Sequence, residues 1–387
     1  MAKEKELLIH IENTLAMKKK RKEAINRSKA KPLPSTYKVN ELAKALHPGF
    51  IKAKIIKIET LSYNTKKFTF KSLAKNGRFP YFRAGQYVTI TTKVGKSLVT
   101  RPYSIFSSPN EALKGILELA ITDCGLLSTY LCTKVKVGHI VLVSEPCGDF
   151  YHDDIRDRKH IVGIAGGTGV TPFVSMIKAI LEGSEQFEFT LLYGVNTYSD
   201  LLIDVKNINH PLIKTAVIVE KEDIEGCYKG FITKDILKKY VTKDSSVFMC
   251  GAKAMYDFVR DELKNIGLED VPIREEKNTI VDLDVKELKT YDLTVRMKND
   301  IYKIKARNNE TLLVAMERAG LAAPNRCRIG KCGFCHSRLI NGEIYVREED
   351  EFRRGADFKF NYIHPCCSYP KSDIEIEVPV VEELKEV

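Results

Sequence analysis

The chain has no tryptophan, and no apolar run comes near the roughly 20 residues that cross a bilayer. No integral membrane segment is expected. Residues 7–17 are interrupted by His10, Glu12 and Asn13, and no small-residue cleavage site follows, so a secretory signal is not expected either. Internal repeats and long low-complexity tracts are missing, which sets aside solenoid and fibrous architectures. A disulfide framework is missing too. Four of the ten cysteines are clustered, and the other six (Cys124, Cys132, Cys147, Cys227, Cys250 and Cys367) follow no framework spacing. That usage suits a reducing cytoplasm.

What is present is an ordinary globular composition of 387 residues, enough for two to four domains. The formal net charge is +11 but unevenly placed. Residues 1–34 hold ten Lys/Arg against four Asp/Glu, whereas the last 97 residues hold sixteen of each. The basic bias belongs mainly to the N-terminal extension, so no nucleic-acid partner is expected.

Cys327-x4-Cys332-x2-Cys335, with Cys366 following after thirty intervening residues, is the most informative pattern. It matches the plant-type spacing for a [2Fe–2S] cluster held by four thiolates. Gly330 and Gly333 allow the loop to wrap tightly and turn backbone N–H groups toward sulfur. Four cysteines also suit tetrahedral zinc, but zinc ribbons use paired CxxC knuckles, which this chain lacks. Cys367 neighbours Cys366 and is an alternative fourth ligand. The cysteine loop carries Arg326, Arg328, Lys331 and Arg338, which read as either a solvated rim or an exposed docking face for an acidic acceptor.

The spacing of apolar runs divides the chain into a basic helical extension (1–49), an antiparallel β-barrel (50–155), a parallel α/β domain (156–275), a polar linker (276–290) and a cysteine-bearing α+β domain (291–387). In the extension, Leu8, Ile11 and Leu15 share a helical face, Lys18–Lys22 form a basic run, and Pro32 and Pro34 close the segment. The run offers a dock for a partner helix, an acidic protein or an anionic membrane surface; a solvated tail is the bland reading.

Four further motifs lie upstream of the cysteines. RPYSIFSSP, Arg101 to Pro109, puts an Arg beside a Tyr and a Ser, able to hold a phosphate, stack on a flat ring and hydrogen-bond a ring nitrogen. GLLSTYL, from Gly125, opens a helix whose free N–H groups suit a pyrophosphate. AGGTGVTP, Ala165 to Pro172, is a glycine turn between a strand and a helix, though not a GxGxxG fingerprint. MCG, ending at Gly251, closes the last strand of the α/β domain, where ligands of open sheets sit. Each has a bland reading: a strand with a solvated Arg, a tight turn, a buried small Cys.

Together the motifs resemble the ferredoxin–NADP reductase superfamily fused to a C-terminal plant-type ferredoxin domain of β-grasp type, over about residues 50–387. The resemblance implies an NAD(P)H:acceptor oxidoreductase of the kind that serves multicomponent oxygenases. It implies that Arg101 contacts the FAD pyrophosphate, that Tyr103 beside Pro102 stacks on the isoalloxazine, and that Ser104 lies near flavin N5. Gly125, Leu126, Leu127 and Ser128 would supply the second phosphate contact. Gly166, Gly167, Thr168 and Gly169, completed by Thr171 and Pro172, would hold the pyridine nucleotide. Cys250 and Gly251 match the pair beside the nicotinamide, and Ser104 and Cys250 would line the hydride-transfer contact. Ala252 stands where the family often has Pro. Where the family usually has Ala-Cys-Gln, this chain has Pro365, Cys366 and Cys367, which favours Cys366 as the fourth ligand beside Cys327, Cys332 and Cys335.

Val219-Glu220-Lys221 favours NADH over NADPH, because Glu220 would hydrogen-bond a ribose 2′-hydroxyl and repel a 2′-phosphate. Asn196 stands where related chains often have Arg, and Lys221 keeps NADPH open. The expected chemistry is hydride transfer from NADH to FAD, then single electrons to the cluster and on to a partner: an oxygenase component, a flavodoxin or another reductase. Two rival readings are an electron-transfer subunit of a larger dehydrogenase complex and a non-catalytic iron–sulfur carrier or redox sensor.

Overall fold

The computed structural model describes residues 2–27, 49–276, 282–381 and 383–384. The chain separates into two units, Met1–Leu46 and His47–Val387. In the first, α1 (Ala2–Arg27) takes up the expected basic helix, and Lys18, Lys19, Lys20, Arg21 and Lys22 are all exposed on it. Pro32 and Pro34, and most of the expected linker from 277 to 281, lie outside the described residues. Among the described residues no helix is long and apolar enough to cross a membrane.

The second unit begins with β1 (Phe50–Ser62), β2 (Thr65–Ser72), β3 (Tyr87–Val94), β4 (Ser97–Ser104), β5 (Ile116–Thr122) and β6 (Ile140–Ser144). They form one antiparallel sheet in the order β4-β3-β6-β1-β2-β5. The start of β1 alternates buried and exposed, as a half-buried strand must. Ile55, Phe68, Phe70, Ile90, Val99 and Val143 fill the interior. The sheet curls until the Phe106 N–H, just past β4, reaches the Glu118 carbonyl of β5 at 2.9 Å, which brings the two edges together as in a barrel. A short helix, α2 (Pro109–Leu113), is fixed by the Ser108–Glu111 capping box, and α3 (Leu126–Thr133) covers one end of the sheet.

The next strands are β7 (His160–Gly166), β8 (Glu188–Val195), β9 (Ile213–Val219), β10 (Tyr228–Lys229), β11 (Ser245–Cys250) and β12 (Ile273–Glu275). All pair in parallel, in the order β10-β9-β8-β7-β11-β12. Helices α4 (Thr171–Leu181), α5 (Lys234–Tyr240) and α6 (Lys253–Lys264) connect them. The central strands β7 and β11 are buried along almost their whole length because helices cover both faces. Phe150, from the barrel side, joins this core: its ring lies 5.6 Å from Phe173 and 5.2 Å from Phe248. Such aromatic pairs contribute about 0.5–1.5 kcal/mol each beyond their buried area.

The C-terminal part holds β13 (Thr290–Met297), β14 (Asp300–Arg307), α7 (Leu312–Arg318), β15 (Ser337–Asn341), β16 (Ile344–Tyr345), α8 (Gly355–Lys359), β17 (Tyr362–Ile363), β18 (Tyr369–Pro370) and β19 (Ile374–Glu377). Five strands make a mixed sheet, β14-β13-β19-β15-β17, whose core includes Leu293, Val295, Leu312, Leu313, Met316 and Ile376. Thr311 caps α7 by accepting the Val314 N–H at 3.3 Å.

Candidate functional site

The loop between α7 and β15 brings Cys327, Cys332 and Cys335 toward Cys366, which sits in the turn between β17 and β18. Cys335 Sγ and Cys366 Sγ are 3.4 Å apart. Backbone N–H groups aim at the sulfurs: Gly330 to Cys366 at 3.2 Å, Cys332 to Cys327 at 3.3 Å and Phe334 to Cys332 at 3.5 Å. Hydrogen bonds from the Cys332 and Cys366 thiols, with backbone N–H groups, press the Cys327 thiol far below its ordinary value. Cys332 and Cys366, which share protons with it, shift the opposite way. Cys367 behaves differently, since its thiol points to the His364 carbonyl at 3.5 Å. Gly330 has φ +77, and a Cβ there would stand 2.8 Å from Cys367 Sγ and 3.0 Å from the Asp350 carbonyl. The loop therefore needs glycine at that point. A converging thiol set ringed by N–H donors fits a [2Fe–2S] cluster. Nearby, His336, Asp357 and His364 each bring one ligand-type atom within 4.8 Å of the others. Structural bonds occupy Asp357, which accepts from His336 at 2.8 Å and from the Arg354 N–H at 2.7 Å.

The basic residues of this loop do not form the exposed docking rim that the sequence suggests. Arg328 is 2% exposed and donates to Glu317 at 2.5 Å. Arg326 pairs with Glu145 at 2.7 Å, its guanidinium 3.8 Å from the Phe334 ring centroid. Lys331, half-exposed, reaches Asp149 at 3.0 Å. Arg338 and Lys331 both remain exposed. Glu145 and Asp149 belong to the barrel side, so these cations fasten the cysteine loop to the flavin-type sheet. The physical reason is burial: a cation turned into that contact loses water and must find a carboxylate.

On β4, Arg101, Pro102 and Tyr103 are half-buried and Ser104 is buried. Pro102 is tolerated because β4 is the last strand in the sheet order and needs fewer ladder bonds. Half-burial pushes the Tyr103 phenol up, so it stays neutral. Arg101 Nη1 is held by the Thr100 carbonyl at 2.8 Å and by Glu317 at 2.9 Å. At α3, Gly125 makes no side-chain cap, and a Cβ on it would find only Ser128 Oγ, at 3.8 Å. Leu127 and Ser128 are buried and Leu126 is exposed, so the open N–H groups border free space suited to a phosphate.

The parallel sheet has its switch point between β7, whose connection runs to β8, and β11, whose connection runs to β12 on the other side. Ligands of open α/β sheets bind in that crevice, beyond the carboxyl ends. Gly166 ends β7 there and Gly167–Gly169 follow it, while Cys250 ends β11 opposite Ala165 and Gly251 follows. Gly167 has φ +54 and a Cβ there would meet nothing within 4 Å, in the turn before α4, which begins at Thr171 and Pro172. Gly169 abuts the Cys250 carbonyl so closely that a Cβ would come within 2.0 Å of it. Thr168, in the same turn, is exposed. Burial pushes the Cys250 thiol well up, with Glu276 adding to the shift. Glu220 follows β9, its N–H bonded to the Val195 carbonyl at 2.9 Å, and the Lys221 N–H reaches Asn196. These cradles fit FAD at the barrel and a pyridine dinucleotide at the sheet.

Sequence reasoning missed three residues that join the parts. Glu276, assigned to the linker, is buried and bonds its N–H to the Met249 carbonyl at 3.0 Å beside β11. The Tyr256 hydroxyl accepts the Gly251 N–H at 3.0 Å and donates to the Glu276 carbonyl at 2.7 Å, which fixes the Cys-Gly turn. Tyr87 lies opposite Ser104, and burial together with Cys327, Cys147, Cys332 and Glu276 raises its phenol. Tyr87 thus stands among the flavin-type strand, the cysteine loop and the end of the nucleotide-type sheet. Only the strand run around Tyr87 was legible; nothing local marks its neighbours.

Comparison with known proteins agrees with this division. Family models match as an oxidoreductase FAD-binding domain over residues 52–152, an oxidoreductase NAD-binding domain over 164–261 and a 2Fe-2S iron-sulfur cluster binding domain over 297–371. The glycine betaine monooxygenase reductase subunit of Chromohalobacter salexigens is 26% identical, over 83% of this chain and 94% of its own length. NADH-cytochrome b5 reductase 1 of Candida glabrata is 30% identical, over 59% of this chain and 83% of its own. The solved structure of phthalate dioxygenase reductase shares the fold, with TM-score 0.61 and 23% identity over 86% of this chain and 98% of that one. With its flavin, nucleotide and cluster modules in that order, the chain belongs to the ferredoxin–NADP reductase superfamily, in the form fused to a C-terminal [2Fe–2S] ferredoxin domain.

Proposed function

We propose that this chain is the reductase component of an oxygenase system, taking electron pairs from NADH and delivering them singly to an acceptor protein. The observation that carries the reading is the direct fastening of the cysteine loop to the flavin-type sheet through Arg326–Glu145 and Lys331–Asp149. A mere carrier has no need of that tie. The relatives named as reductase components support it over a subunit of a larger dehydrogenase.

When bound, FAD takes a hydride from NADH and yields single electrons, which the cluster relays. Arg101 and the N–H groups at Gly125, Leu126, Leu127 and Ser128 hold the FAD pyrophosphate, while Tyr103, beside Pro102, flanks its ring. Gly166, Gly167, Thr168 and Gly169, with Thr171 and Pro172, receive the dinucleotide, and Glu220 accepts from its ribose 2′-hydroxyl. Ser104, Cys250 and Gly251 line the place where the rings meet. Buried and held as a neutral thiol, Cys250 excludes water there without acting as a nucleophile. Cys327, Cys332, Cys335 and Cys366 ligate the cluster. A reducing cytoplasm suits ten cysteines, none of them paired in a disulfide. The exposed run Lys18–Lys22 is a second contact for the acceptor.

Anaerobic NADH should bleach the flavin absorbance. Cys335→Ser should keep NADH-to-ferricyanide activity and lose cytochrome c reduction, and removal of residues 1–27 should slow only reduction of the natural acceptor. Unchanged cytochrome c rates in Cys335→Ser would overturn the electron route.

A further inference from the structure

Glu317 is a ferredoxin-domain residue that holds two arginines from different domains. It lies on α7 and is 4% exposed. Its carboxylate accepts the Thr100 backbone N–H at 3.1 Å, Arg101 Nη1 at 2.9 and 3.2 Å, and Arg328 Nη1 at 2.5 Å. Arg328 also donates to the Thr100 carbonyl at 3.1 Å and to Asn325 at 3.4 Å. Thr100 and Arg101 are on β4, the strand of Tyr103 and Ser104, and Arg328 follows Cys327 directly. One carboxylate therefore connects the strand of the flavin site to the loop of the cluster site.

The arrangement is costly and over-determined. Arg328 adopts φ +61, a left-handed conformation that a bulky residue holds only when its surroundings enforce it. Its Nε and Nη2 are buried without a hydrogen-bond partner. Two guanidiniums face one carboxylate, which leaves a surplus positive charge around the buried Glu317, with Arg328 buried and Arg101 partly exposed. A structure built only for stability would replace such a group with apolar packing. The surplus suits anionic neighbours, the flavin pyrophosphate on the Arg101 side and the thiolate-bound cluster on the Arg328 side.

We propose that Glu317 is a positioning residue for electron transfer from flavin to cluster: it sets the β4 strand in register with the cysteine loop and so couples the two cofactor sites. The proposal rests on the electron route given above. No new chemistry is involved. FAD would supply the electrons singly, and the cluster, which holds one at a time, would pass each to the acceptor before taking the next.

The test uses the FAD- and cluster-loaded protein with Glu317→Gln, Arg328→Gln and the double variant. Each single variant should slow NADH-driven cytochrome c reduction about tenfold and keep ferricyanide reduction within about twofold, and the double should be no slower than the worse single, because neighbours in one network are non-additive. Hydrogen exchange of the loaded protein should speed up at Thr100 to Ser104 in Glu317→Gln, since the Thr100 N–H loses a charged acceptor. Should Glu317→Gln fail to hold FAD, Glu317→Asp, which keeps the charge but loses reach, replaces it with the same expectations. Additive losses, equal losses in both assays, or unchanged exchange would overturn the proposal. If the wild-type protein passes no electrons from NADH to cytochrome c, the electron route fails instead, and the exchange experiment still reads Glu317.

Discussion

A single methyl group at Gly169 tests whether the nucleotide crevice is as tightly built as its geometry indicates. A Cβ at that position would lie 2.0 Å from the Cys250 carbonyl oxygen, 2.5 Å from its carbon and 2.9 Å from the Gly251 nitrogen. All three are backbone atoms, so no side chain can swing aside. The closest contact is short of an ordinary van der Waals separation by about 1.5 Å. The glycine turn after β7 and the Cys-Gly turn after β11 must therefore part by about that distance. They are the two walls of one site, and a misplacement near 1 Å can cost about 100-fold. Gly169→Ala should lower kcat/KM for NADH in ferricyanide reduction by about 100-fold, equivalent to about 2.7 kcal/mol of transition-state stabilisation. FAD content and the cluster spectrum should stay at wild-type values, because the atoms the new Cβ meets belong to Cys250 and Gly251 and not to Arg101, the start of α3 or the four cluster cysteines. The assay is steady-state ferricyanide reduction over a range of NADH concentrations, on protein of matched flavin content. A kcat/KM within about threefold of wild type would refute the reasoning, since the two turns could then part without harm to the site.

The fourth cluster ligand is tested by replacement. Cys366→Ser should strip most of the iron and the visible cluster absorbance, whereas Cys367→Ser should retain both, because Cys366 Sγ lies 3.4 Å from Cys335 Sγ and accepts the Gly330 N–H, whereas the Cys367 thiol bonds the His364 carbonyl. Equal iron loss in both would assign the wrong cysteine. Acid stability is tested at Glu118, where burial pushes the carboxyl up but Lys178 at 2.8 Å and Lys67 at 3.3 Å outweigh it and hold it below its ordinary value. A carboxyl with a depressed folded-state value contributes its full stability above the unfolded value near 4.3 and loses it as pH falls through the folded value. Denaturant midpoints of Glu118→Gln should therefore lie below wild type at pH 7 and converge with it under acid; a constant gap down to low pH would contradict the assignment.

The parts of the site that act through local sequence were readable. Cysteine spacing, the glycine turn before α4 and the RPYS strand carry their chemistry in neighbouring residues, and the strand and helix periodicities around them survive folding. α7 runs Leu312–Arg318 with Thr311 as its cap. Periodicity did not say that Glu317 on that helix is buried against β4. The contact made by Glu276 is hidden for a related reason. It opens the polar run 276–290, yet its N–H bonds the Met249 carbonyl just past Ile273–Glu275, which pairs with β11. A charged edge segment is recruited to a sheet by backbone bonds, which side-chain patterning does not report.

The cysteine loop shows why charge is the least legible property. Four cations within thirteen residues suggest an exposed docking face, and in isolation a solvated rim is the cheapest state for them. Their fate depends on what packs against the loop, and here that surface supplies Glu145, Asp149 and, across α7, Glu317. Three of the four cations are used to bring a cluster site against a flavin site within one chain. An acceptor must then approach from the side they leave free, where Cys332, Arg338 and the half-exposed rings of Phe352, Phe358 and Phe360 remain open. Apolar rings flanked by Arg353 and Lys359, which lie 4.3 and 5.4 Å from the Phe358 and Phe360 centroids, make a contact of mixed character. Salt should therefore weaken acceptor reduction less than an exposed ring of four cations would require, because screening acts only on the charges that stay in water.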